Sequence, residues 1–267
     1  MPIEPLADAL ARLYDLDLSE HPGDVELYLA LAARTGDPIV ELAAGTGRVA
    51  VPLAVAGHHV VGIDVDEAML TRARRRATIA EGRAPGTEAR LRWLVADARR
   101  PLPSSSGMDA PGRLAILALN SLFVFAERAE QAAVIARMAD LVGPGGTVVV
   151  DTWQPQPLDL VRMDGRVSLE WLREDPATGR LVTKQASAWY DPSTRVATVT
   201  TIFEEGGQGD PSARWTRVDR LRLATADELV EWAEDAGLQV ERLAGDYDLA
   251  PYGPASERAI LVAQAPG

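Results

Sequence analysis

Two spacings of apolar residues divide the chain. From about residue 38 to 153, short apolar runs bounded by turn residues alternate with segments whose apolar positions recur every three or four residues. That alternation is the mark of βαβ units and a parallel sheet. "PIVELA" (38–43) predicts a first strand, "RVAVPLAVAG" a helix closing at Gly57, and "HVVGID" (59–64) a second strand. A helix over 67–81 would bury Ala68, Met69, Ala73, Ala77 and Ala80 on one face. "RLRWLVAD" predicts strand three and "GRLAILALN" (112–120) strand four. Glu127 to Leu141 reads as a helix, "GPGG" as its stop, and "GGTVVVDTW" as strand five.

Between about 165 and 222 the period becomes two. "VSLEWLRE", "RLVTKQASAWYD", "RVATVTTIFEE" and "ARWTRVDRLRL" alternate apolar with polar positions, and "DPATG", "DPST" and "GGQGDP" separate them. This predicts an inserted antiparallel β-sheet with turn-forming residues at its corners. The α/β pattern then resumes. Thr225 and Glu228 make a capping box for a helix that stops at Gly237, and "LQVERLAG" and "RAILVAQA" follow as strands. The expected fold is α/β, a Rossmann-like doubly wound sheet interrupted by the insertion. Residues 1–37 are expected to form an N-terminal helical cover, 38–160 and 223–267 the α/β core, and 165–222 the antiparallel insertion. An added sheet either covers a site or pairs with a second copy, so a homodimer is allowed.

Composition narrows the chemistry. With 267 residues and 47% apolar positions the chain can bury a large core. It has no apolar run of the ~18 residues that a membrane span needs, and its first residues lack the basic and apolar regions of a signal peptide. A cytoplasmic location with no membrane partner is expected. Cysteine is absent and only three histidines occur, which removes thiolate chemistry and leaves little for a metal site. A net charge of −12 argues against nucleic acid, whose binding needs Lys and Arg against phosphate. A small-molecule substrate fits better.

Ligands of doubly wound sheets sit outside the C-terminal strand ends, at the switch point beside the first strand. Gly45 and Gly47 fall just past strand one, where the lack of a Cβ lets backbone approach a ligand. Asp64 ends strand two, placed to accept from both hydroxyls of a ribose. Asp97 ends strand three, where it could accept from an exocyclic amine. Asp66 reads instead as a helix cap or an exposed charge. Each feature alone has a plain structural meaning, since a strand-to-helix turn needs glycine and a strand-end acid can cap a helix. Their conjunction, in this order, describes a nucleoside across three strand ends.

"ELAAGTGR", "GIDVDEAML", "LVADARRPLP" and "GPGGTVVVD" resemble the successive motifs of class I S-adenosylmethionine-dependent methyltransferases over residues 39–152. The closing segment "EDAGLQVERLAGDYDLAPYGPASERAILVAQ" is similar to that of small-molecule members, the group of glycine and amino-sugar N-methyltransferases. The resemblance implies a mostly parallel sheet with an antiparallel last strand, and S-adenosylmethionine as cofactor. Glu41 and the backbone at Ala43, Gly45 and Gly47 would then surround its methionine part. Asp64 would hold the ribose, Val65 and Met69 would pack by the adenine, and Asp97 with Ala98 would bind its edge. Tyr14 and Asn120 are further cofactor-binding candidates. Ala43 stands where the family pattern has a glycine, which puts that turn's conformation in question.

"GTGRVA" also satisfies the dinucleotide pattern of NAD(P)-dependent oxidoreductases, but Glu41 would repel a pyrophosphate and Asp97 would have no part. A non-catalytic, methyltransferase-like binding module is the other alternative. "NSLF" (120–123) replaces the "NPPY"-like turn of enzymes acting on adenine or glutamine amides, which again favours a small molecule. A hydroxyl acceptor usually needs a general base, for which His21 and Asp151 are the candidates, whereas an amine need only be neutral. N-methylation is slightly favoured over O-methylation.

Overall fold

The computed structural model describes residues 4–20, 22–102, 110–207 and 210–267. These divide into two compact units, one of residues 22–154 and 224–267, the other of 1–21 and 155–223. The segment 1–37 is shared between them: α1 (Leu6–Asp17) belongs to the second unit and α2 (Val25–Thr35) to the first.

The larger unit is built on a seven-stranded sheet. Strands β1 (Ile39–Leu42), β2 (Val60–Asp64), β3 (Leu91–Val95), β4 (Gly112–Leu117) and β5 (Val142–Trp153) are parallel. The last two are β10 (Gln239–Ala244) and β11 (Arg258–Gln264). Spatial order is β10-β11-β5-β4-β1-β2-β3, with β11 antiparallel to both neighbours. The chain therefore reverses its winding between β1 and β4, the switch point at which such sheets open a crevice. Ile39, Leu42, Leu114, Ile116, Leu117, Val148, Val149 and Val150 are buried, as a sheet covered on both faces requires. The helices of this unit are α2, α3 (Ala50–Val55), α4 (Glu67–Glu81), α5 (Arg128–Leu141) and α7 (Ala226–Asp235).

Two local expectations change. The buried stripe of α4 is Leu70, Ala73 and Ala77, while Ala68, Met69 and Ala80 are half-buried. Burial of Leu70 rotates the buried face by about one position from the alanine-based one. "GPGG" does not separate helix from strand. Val142 pairs with Gly112 and Thr147 with Leu114, so Gly143 to Gly146 form an irregular step inside β5. Asp66 caps α4 by accepting from the Ala68 N–H at 2.8 Å, and the Thr225–Glu228 capping box holds α7 as expected.

The smaller unit is a four-stranded antiparallel sheet, β6 (Asp164–Asp175), β7 (Arg180–Asp191), β8 (Val196–Gly207) and β9 (Asp210–Arg222), in that order, preceded by the short α6 (Pro157–Arg162). Ala9, Leu13 and Leu16 of α1 pack on Val182, Phe203 and Trp215. Among the described residues, no helix is long and apolar enough to cross a membrane.

Candidate cofactor and acceptor site

The C-terminal ends of the parallel strands bring the expected groups of the larger unit to one edge. Leu42, Ile63 and Leu117 are aligned across β1, β2 and β4, and Leu117 opposes Val150 of β5. Just beyond lies the turn 43–47. Its φ values are +52° at Ala43, +54° at Gly45 and +73° at Gly47. Ala43 therefore adopts the left-handed backbone that glycine takes most readily, despite its Cβ. A Cβ on Gly47 would stand 2.8 Å from the Trp93 ring, so packing beneath the turn, as well as its dihedral, demands glycine there.

Asp64 braces this turn from β2. Its Oδ2 accepts the Gly45 N–H at 2.8 Å and its Oδ1 the Asp66 N–H at 2.9 Å. A carboxylate has about four acceptor positions, so capacity remains for another donor. Burial holds the Asp64 pKa above the usual carboxylate range, offset by those backbone donors. Val65 is 72% exposed and Met69 half-buried beside it at the start of α4.

Glu41 is 3% exposed, and its Oε2 has no hydrogen-bond partner among the described residues. Desolvation raises its pKa to about 8, against the opposing pull of Arg48. Arg48 is itself committed to Asp24, with two parallel bonds of 2.6 Å between buried partners. This pair was not expected from the sequence; its only signal is the arginine that directly follows the glycine turn.

Asp97 carries its own cation. Arg99 Nε lies 2.9 Å from Oδ1 and Nη2 2.8 Å from Oδ2, and the same guanidinium bridges to Glu130 of α5. The Arg99 side chain and backbone N–H draw the Asp97 pKa down to about 2. An exocyclic amine at Asp97 would share the carboxylate with this guanidinium. Ala98 is buried next to it.

Asp151 follows the last β4-paired residue of β5 and is fully buried. Its carboxylate receives Arg258 Nε at 2.7 Å, the Tyr247 hydroxyl at 3.2 Å, the Leu119 N–H at 3.3 Å and the Tyr28 hydroxyl at 3.4 Å. Burial raises its pKa and Arg258 opposes that rise. Burial and the neighbouring Asp151 also raise the phenol pKa values of Tyr28 and Tyr247. The turn after β4 is fastened to this cluster. Leu119 and Asn120 are both left-handed, at φ +45° and +65°, and Asn120 Oδ1 accepts the Trp153 N–H at 2.5 Å and Arg258 Nη2 at 3.3 Å. Tyr247 and Arg258 also line a cavity of about 540 Å³ in the 245–258 loop, with Asp246, Ser256 and Glu257. Because Arg258 pairs with Trp153, this loop leaves the sheet at the same edge as Asp151.

Of the remaining candidates, Tyr14 is half-buried on α1 in the other unit, and His21 lies outside the described residues. His58 and His59 mark the opposite end of β2, where Asp37 engages the His58 Nδ1 at 2.7 Å and the His59 N–H at 3.0 Å.

This topology, with a reversed strand next to last in spatial order, is a Rossmann-like fold with acids at its first strand ends. Residues 39–146 match the methyltransferase domain family. The chain has 35% identity over 125 residues to an uncharacterised protein of Mycobacterium tuberculosis, covering 46% of this chain and 39% of that one, so it spans about two fifths of that relative's length. Among solved structures it is similar to the CcbJ methyltransferase of Streptomyces caelestis, with a TM-score of 0.75, 23% identity, and 95% and 96% of the two chains covered. The sugar N-methyltransferase KedS8 of Streptoalloteichus aligns with a TM-score of 0.72 at 19% identity, covering 95% and 93%. The match to the methyltransferase domain thus covers about two fifths of the chain, and the solved structures of like fold include an amino pentose methyltransferase bound to S-adenosylmethionine. The residues present suit it: an unsatisfied buried carboxyl for a cationic amino-acid end, and a strand-end carboxylate with acceptor capacity left for a ribose.

Proposed function

We propose that this protein methylates an amine of a small molecule. The observation that carries the choice of acceptor is the state of Asp151. The strand-end carboxylate best placed to act as a base is fully buried and engaged by Arg258, Tyr28, Tyr247 and a backbone N–H. A carboxylate so occupied positions the β4 turn and the Tyr247–Arg258 wall rather than taking a proton. An amine that reaches the site neutral is already nucleophilic, whereas a hydroxyl usually needs a base.

When bound, S-adenosylmethionine supplies a methyl group on a sulfonium, open to in-line displacement by the acceptor nitrogen. The chain's own part is alignment and exclusion of water. Glu41 and the 43–47 turn would face the methionine end and Asp64 the ribose hydroxyls. Val65, Met69, Asp97 and Ala98 would border the adenine. Acceptor binding falls to the cavity of the 245–258 loop, where the Asp246 and Glu257 carboxylates suit a cationic substrate that sheds its proton before transfer. The likeness to a structure named as a sugar N-methyltransferase supports the same acceptor class.

Two measurements test the reading. Asp64→Ala should weaken S-adenosylmethionine binding roughly a hundredfold or more by calorimetry, since two charge-assisted hydrogen bonds of about 1.5–3 kcal/mol each are lost. His59→Ala, at the far end of the same strand, should leave affinity nearly unchanged at a matched melting temperature. A screen of amines and phenols with radiolabelled methyl donor should label amines. Labelled phenols alone would overturn N-methylation, and an Asp64→Ala variant that binds like the parent would overturn the cofactor site.

A further inference from the structure

Glu41 combines near-complete burial with an unsatisfied carboxyl oxygen. Its carboxyl accepts the Ala50 N–H of α3, and Oε2 is left without a donor among the described residues. The charged groups acting on it come from three elements: Arg48 just before α3, Asp24 at the start of α2, and Asp64 on β2. Arg48 is the cation among them, and both its Nη atoms are bound 2.6 Å from the two Asp24 oxygens, which cancels most of its charge locally. Asp64 adds a second negative charge nearby. A buried carboxylate with no counter-charge of its own is strongly disfavoured and takes up a proton instead.

We propose that Glu41 is protonated in the free protein and loses that proton when the cofactor's α-ammonium group docks against Oε2, so that cofactor binding releases one proton. The inference rests on the cofactor reading above. The carboxyl O–H bond breaks and its proton passes to the buffer. The ammonium keeps its three N–H bonds and donates one of them to Oε2. The unsatisfied oxygen thereby gains a donor and the carboxylate a counter-charge in one event. The upward displacement of the Glu41 pKa by burial agrees with this geometry. Were Glu41 merely an anchor for the Ala50 N–H, its protonation would not respond to the ligand.

The test is calorimetry of S-adenosylmethionine binding to the full chain at pH 6.5, where the α-amino group keeps its proton, in two buffers of different ionisation enthalpy. The difference in apparent heat should correspond to roughly one proton released per cofactor bound, and affinity should rise about tenfold per pH unit between pH 6 and 7. Glu41→Gln, neutral and of the same shape, should bind with no proton release and no such pH dependence. If it binds too weakly for calorimetry, difference infrared spectroscopy decides: the parent should lose a protonated-carboxyl band on binding. Binding by the parent without proton release overturns the inference, as does release that persists in Glu41→Gln. A folded parent that does not bind S-adenosylmethionine at all overturns the cofactor reading instead.

Discussion

At Ala43 a residue with a Cβ adopts φ +52°, a conformation that costs an L-residue roughly 1–2 kcal/mol. The turn persists because its neighbours over-determine it: Gly45 is bonded to Asp64, and the Ala44 N–H donates to the Ile63 carbonyl at 2.9 Å. Ala43→Gly should relieve the strain while giving the unfolded chain more freedom, so stability should be unchanged or higher by up to about 1 kcal/mol in chemical denaturation. Alanine to glycine elsewhere normally destabilises. Glu41 makes a separate prediction about pH. Its folded pKa of about 8 lies above the ordinary 4.5, so its contribution to stability is complete below the lower value and is lost as pH rises through the upper one. The melting temperature of ligand-free Glu41→Gln should therefore gain on that of the parent between pH 5 and pH 8.

Among the elements, β2, β3 and the turn after β1 are tied together by the ring of Trp93. An added Cβ on Gly62 of β2 would run into that indole, and one on Gly47 in the turn would stand 2.8 Å from it. The ring and the two glycines are one packing unit that sets the height of the turn above the sheet. Gly62→Ala should overpack it and destabilise by about 1–3 kcal/mol, and should weaken cofactor binding by lifting the turn. Trimming the ring in the double variant Gly62→Ala with Trp93→Leu should recover part of that loss. A double-mutant cycle in urea measures the coupling, which should be at least about 0.5 kcal/mol.

At the scale of the whole molecule, each unit has its own core and its own buried ionic junction. In the larger unit these are the Asp24–Arg48 and Asp151–Arg258 pairs. In the smaller one Arg12 of α1 reaches Asp175 at the end of β6, Glu205 of β8 at 2.7 Å and Glu4 at 2.9 Å, and lies 5.6 Å from the Trp215 ring. Both Asp175 and Glu205 are almost fully buried. Removing one partner of a buried pair strands the other charge, so Arg12→Ala should destabilise by about 3–5 kcal/mol, read as a lower denaturation midpoint.

The sequence by itself determined the order and type of the elements, because period two and period three-to-four patterns are local properties of the chain. It also marked the strand-end acids Glu41, Asp64 and Asp97, because a strand end is where an apolar run stops. Tertiary structure decided what those acids meet. Nothing local to Asp151 announces that Arg258, Tyr247 and Tyr28 converge on it from three separate segments. Asp97 reads as a free acceptor in the sequence, yet the side chain and backbone N–H of Arg99 occupy it once the loop after β3 folds. The alternation that betrayed the inserted sheet could not reveal that α1 packs on it while α2 joins the other unit, because both helices are amphipathic. Pattern records which residues seek burial and which seek partners, and only the assembled chain brings together those that lie far apart along it.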